Sequence, residues 1–143
     1  SWYDGWGEFM KRKNDFVTNS STTSFVAYGI SLEIADLKDN KKLGDLIYKK
    51  YLDNDPDEEK INREEFFEQD AYDIVEYLDG ILTEKGMDYA YPPYDDYLYI
   101  GMSPFKIGDN ETGKQFKERI SGLLKELGFD EEPGEIVEAW RDG

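Results

Sequence analysis

The chain has no cysteine and no histidine, and only five prolines in 143 residues. Without cysteine there is no disulfide framework, no thiolate nucleophile and no sulfur ligand for a metal. Without histidine the commonest general base and the commonest transition-metal ligand are missing. Any catalysis would fall to carboxylates, tyrosine, lysine or serine. No apolar run approaches the ~20 residues needed to span a bilayer, and no charged-then-apolar leader pattern is present. The expectation is a cytoplasmic protein that does not enter a membrane.

Positive charge is also scarce. There are 17 Lys and Arg against 33 Asp and Glu, a net −16. The imbalance is concentrated in the middle: residues 53–96 carry 16 acids and 3 bases, whereas residues 1–52 carry 7 acids and 8 bases. Such a field repels nucleic acid and anionic membranes. The expected partner is a basic protein surface or a cation, with no direct binding of nucleic acid.

What is present is enough for one core. Hydrophobic residues make up 38% of the chain, and 11 Tyr, 8 Phe and 3 Trp are among them. This length and content fit a single domain. From Phe25 to Ile34, Val26, Tyr28, Ile30, Leu32 and Ile34 alternate, which is a strand pattern. A helix is expected from Lys41 to Leu52 behind Asn40, and a longer one from Asn62 to Glu84 with Phe67, Ala71, Ile74, Val75, Leu78 and Leu82 on one stripe. Leu98, Ile100 and Met102 mark a second strand. Asp109 or Asn110 is expected to cap a helix that Gly128 ends. In the tail, Ile136, Val137 and Trp140 suit a short helix or a last strand. These elements predict an α+β domain: a small, mainly antiparallel or mixed sheet covered on one face by three to four helices. Tyr28-Gly29-Ile30-Ser31 and Ile100-Gly101-Met102-Ser103 also open two similar strand-to-helix units, a faint internal repeat.

Four constellations could carry function. Asp53, Asp55, Asp57 and Glu65 resemble the ligand positions of an EF-hand calcium loop and its exiting helix, with Ile61 at the hydrophobic position. The match departs from that pattern by one extra residue and by Glu58 or Glu59 where a glycine belongs. An acidic linker capped by Asn62 is the alternative. Gly108 to Gln115 approaches a phosphate-binding loop, but Gln115 stands where a magnesium-binding hydroxyl is needed. A helix N-terminus capped by Asp109 or Asn110 is the better reading of this segment. The acidic helix is the third. Glu65, Glu68, Asp73, Glu76 and Asp79, joined by Tyr72, Tyr94, Asp95 and Asp96, form a candidate interaction surface, because carboxylates with tyrosines can dock on a basic, partly apolar partner. Carboxylate pairs for acid–base catalysis are the fourth, and with 33 acids no pair stands out.

The N-terminal stretch Met10-Lys11-Arg12-Lys13-Asn14-Asp15-Phe16-Val17-Thr18-Asn19-Ser20-Ser21-Thr22-Thr23-Ser24-Phe25 resembles small bacterial and phage proteins that open with a DFVTNSSSSSF-like segment. Those proteins begin at the matching Met. Residues 1–9, ending in Glu8-Phe9, are accordingly read as a cloning-derived arm, the alternative being an ordinary aromatic arm. The resemblance carries no activity with it. The leading functional expectation is a non-enzymatic acidic protein of phage or mobile-element type that binds a basic protein, in one version as a nucleic-acid mimic. An EF-hand-like calcium binder is the second reading and a small carboxylate-based enzyme the third.

Overall fold

The computed structural model describes residues 17–18, 24–92 and 96–139. Five strands form one sheet: β1 (Val17–Thr18), β2 (Ser24–Glu33), β3 (Asp88–Tyr91), β4 (Tyr97–Met102) and β5 (Gly134–Ala139). Their order is β1-β3-β4-β2-β5, and every pairing is antiparallel. The helices are α1 (Lys41–Asp53), α2 (Arg63–Phe67), α3 (Ala71–Glu84) and α4 (Gly113–Glu126), with 3-10 turns at Ile34–Asp39 and Pro104–Lys106. The α+β expectation holds, with the sheet antiparallel throughout the described strands.

The main core lies between the sheet and the helices. Ile30, Tyr89, Leu98, Ile100 and Met102 from the strands meet Leu43, Ile47, Leu78, Leu82, Ile120 and Leu124 from the helices. Strand residues point alternately to the two faces, so Phe25, Ala27, Ala90 and Ile136 gather on the other side with Tyr99. Burial of each large apolar side chain stabilises the fold by about 1.5–3 kcal/mol. α3 packs mainly on α1 and β3, and α4 on β2.

The structure departs from the sequence pattern at three places. The long helix expected from Asn62 to Glu84 is two helices. Asn62 does cap the first, its side chain accepting from the Glu65 amide at 2.9 Å. The chain then leaves the helix at Glu68–Asp70, where Asp70 is extended and its carboxylate accepts from the Tyr72 amide at 2.9 Å. Aspartate competes with helical backbone bonds in this way and so favours a new start. The break lets Phe66 become fully buried against Tyr48, Tyr51 and Tyr77, with centroids 5.8, 4.7 and 5.9 Å away. The last helix is capped by Thr112, not by Asp109 or Asn110, in a reciprocal capping box with Gln115. The tail is strand β5, and the tyrosine-rich region holds two strands, β3 and β4.

Candidate functional site

The expected EF-hand ligands are spread out. Asp53 ends α1 and pairs with Lys49 at 2.9 Å. Asp55 sits at φ 48 in a turn closed by the Glu58 amide donating to its carbonyl. Asp57 is exposed, and Glu65 lies in the first turn of α2. The Lys60 ammonium donates to the Asn54 carbonyl and lies 4.8 Å from the centre of the Tyr51 ring. Tyr51 and Tyr48 hold the far end of the segment: the Ile61 amide donates to Tyr51 Oη at 3.0 Å and Tyr48 Oη donates to the Ile61 carbonyl at 2.8 Å. Among the described residues no group of three or more Asp or Glu is placed to hold a metal ion.

The phosphate-loop-like segment uses its own amides. Gly108 N–H donates to Glu111 Oε1 at 2.9 Å, Thr112 N–H to Gln115 Oε1 at 2.9 Å, and Gln115 N–H to Thr112 Oγ1 at 3.1 Å. Arg119 clamps Glu111 with two bonds, Nε to Oε2 and Nη2 to Oε1, both 2.9 Å. Fork-to-fork geometry of this kind is the strong form of ion pair. The Arg119 bonds and the Gly108 amide hold the Glu111 carboxyl down to about 2. The segment's own Glu111, Gln115 and Thr112 side chains therefore occupy the donors that would otherwise face a phosphate. Lys114 stands outside, lining a shallow groove on α4 with Lys117, Ser121 and Lys125.

The acidic surface is partly assembled. Asp73, Glu76 and Asp79 follow one another at three-residue steps along α3, so they share one face. The Glu76 carboxyl is raised above its ordinary value, by burial first and then by the charges of Asp73 and Asp79. The Tyr89 hydroxyl, buried under this row on β3, is also pushed up, by burial and then by the Asp79 and Glu76 carboxylates, with a hydrogen bond to Asp79. Tyr72 packs on Tyr91 with centroids 5.2 Å apart. Among the described residues, no ion pair reaches Glu65, Glu68, Glu76 or Asp79. Bases that do pair choose other acids: Lys50 with Glu84, Lys85 with Glu126, Lys106 with Asp88.

The remaining expected members lie elsewhere. Glu65 and Glu68 belong to α2 and its end, across the break from α3. Asp96 precedes β4, its carbonyl accepting from the Ile34 amide at 2.8 Å. Tyr94 and Asp95 lie outside the described residues, as do residues 1–9 and most of the serine- and threonine-rich stretch. Sequence reading missed two functional-looking features. The Asp79–Tyr89 link joins a helix to a strand ten residues on, and no local pattern announces it. Phe105, at the 3-10 turn after β4, is 95% exposed, a position invisible without the fold.

No protein-family model matches the chain, and no curated protein or solved structure matches it. Among the described residues no helix is long and apolar enough to cross a membrane.

Proposed function

We propose that this is a non-enzymatic binding domain whose acidic α3 face docks on a basic surface of a partner protein. The row Asp73, Glu76 and Asp79 carries the reading. Burial first, and then the charges of Asp73 and Asp79, raise Glu76, and no described base neutralises Glu76 or Asp79. Like-charge pairs three residues apart cost a few tenths of a kcal/mol each. A cationic partner would relieve that repulsion, and complementary charge speeds and selects association. Half-buried Tyr72 beside the row, packed on the buried Tyr91, adds apolar area with a hydroxyl group.

A nucleic-acid mimic is the specific form that the spacing favours. Steps of three residues place one carboxylate per ~4.5 Å of helix axis, close to the ~3.4 Å per phosphate along one DNA strand.

The test is capture of partners from bacterial lysate, comparing the wild type with a variant carrying Asp73→Asn, Glu76→Gln and Asp79→Asn. Exposed charges are screened over about 8 Å at physiological ionic strength, so captured proteins should be lost in high salt and by the variant. Short DNA duplexes should displace them if the face imitates nucleic acid. A variant that keeps every partner would overturn the proposal.

A further inference from the structure

A strand at the edge of a sheet carries unpaired N–H and C=O groups, which most proteins cover or interrupt. β5 is such a strand. It pairs with β2 in unbroken register from Ser24↔Ala139 to Gly29↔Gly134, and no described strand lies on its other side. Five of its six residues are exposed, Ile136 alone being buried. No proline interrupts it, Pro133 standing just before its start. In an antiparallel ladder every second residue of an edge strand turns both its N–H and its C=O outward.

The side chains around this edge select its occupant. Val137 is 73% exposed, and Val26, its partner on β2, is 49% exposed, an apolar strip at the rim of the sheet. Asp130, Glu131, Glu132, Glu135 and Glu138 surround it, and residues 129–139 contain no base. A second copy of β5 would bring Glu135 and Glu138 against their own kind, and like charges across a strand pair are destabilising. It would also join two chains of net −16. A lysine- or arginine-bearing strand meets neither penalty.

We infer that the outer edge of β5 accepts an extended basic segment of a partner protein as a sixth strand. Main-chain bonds to β5 supply the pairing. Val137, with Val26 behind it, gives alternate apolar side chains a surface to cover. Glu138, on the face opposite Val137, lies within cross-strand reach of the incoming bases, and Asp130, Glu131, Glu132 and Glu135 stand at or near the entry to the strand. Two strands, β4 and β2, separate this edge from β3, on which α3 packs. The inference is therefore independent of the α3 reading.

The experiment uses two octapeptide probes of equal charge, one alternating lysine and valine, the other alternating lysine and proline. Proline removes every second donor and disfavours ladder pairing. Binding is followed by fluorescence anisotropy, and its location by amide hydrogen exchange over residues 134–139. The lysine–valine peptide should bind about tenfold more tightly, as one or two net main-chain bonds require, and should slow exchange in β5. Glu135→Lys with Glu138→Lys, both at exposed positions, should abolish binding while leaving the circular dichroism spectrum intact. Glu76→Gln with Asp79→Asn should leave it unchanged. Equal binding of the two peptides, protection confined to α3, or no binding at low salt would each overturn the inference.

Discussion

Gly29 lies directly opposite Gly101 where β2 and β4 pair, and its other neighbour across β5 is Gly134, so three glycines form one row through the sheet. At the first pair the backbones approach too closely for any side chain. A Cβ on Gly29 would meet the Ile100 carbonyl oxygen and lie 2.5 Å from Gly101 Cα, and one on Gly101 would meet the Tyr28 carbonyl oxygen and lie 3.0 Å from Gly29 Cα. Backbone atoms inside a ladder cannot step aside as a flexible side chain can. Gly29→Ala and Gly101→Ala should each destabilise the protein by about 1–3 kcal/mol or more, the usual range for overpacking. Gly134→Ala meets nothing within 4 Å and should be neutral or slightly stabilising. Urea denaturation midpoints of the three variants provide the comparison.

Two phenylalanines should behave in opposite ways. Phe66 is completely buried at the junction of α1, α2 and α3, whereas Phe105 is 95% exposed. Phe66→Ala should cost about 3–5 kcal/mol, combining lost burial with a cavity. Phe105→Ala should change stability by no more than about 0.5 kcal/mol. Thermal melts of both proteins decide it, and a large loss from Phe105→Ala would contradict the described turn.

Glu111 and Glu76 should give stability opposite dependences on pH. Glu111 is held at about 2 in the folded chain, below the roughly 4.3 of a free glutamate. Its contribution is present above the unfolded value and is lost as pH falls toward 2. Glu111→Gln should flatten that acid limb. Glu76 is raised in the folded chain, so the native state holds its proton longer than the unfolded state does. Stability from this group is greatest below the unfolded value and falls as pH rises through the raised one. Glu76→Gln should therefore remove that fall and make the protein more stable at neutral pH. Denaturation midpoints measured across pH 2–7 for both variants test the two signs.

Calcium and magnesium should act alike. Asp53 is engaged by Lys49, and Asp53, Asp55, Asp57 and Glu65 are not gathered around one point. A specific calcium loop would raise the melting temperature by mass action and respond more to calcium than to magnesium. The expected result is an equal, small effect of both ions through screening, unchanged by Glu65→Gln. A calcium-selective rise abolished by that substitution would mean that the loop closes around the ion.

Much of the architecture was legible because it depends on near neighbours. Asn40 and Asn62 accept from amides three residues ahead, at 3.1 and 2.9 Å, as their positions before apolar-periodic segments imply. Alternation located β2 and β4. The repeat noted around Gly29 and Gly101 corresponds to the point where those strands face each other. The helix break was not legible, because the stripe from Phe67 to Leu82 continues through it. Asp70 could have signalled the new start, but only burial of Phe66 reveals why the chain turns there. Thr112 with Gln115 was a readable capping signature that lay behind two equally plausible caps.

The sequence by itself determined the composition-level chemistry: an acidic centre, no thiol or imidazole, and enough apolar periodicity for helices and strands of known place. Those properties follow from residue types and from contacts within about four positions. Tertiary structure alone decided which carboxylates share a face with Tyr89, that Arg119 closes the Gly108–Gln115 loop through Glu111, that Phe66 is buried while Phe105 projects, and that β5 stands last among the described strands of the sheet. Each of these depends on residues brought together from separate elements, where many pairings satisfy the local patterns. Packing of the whole core selects among them, since burying one apolar face against another is worth more than any single local preference.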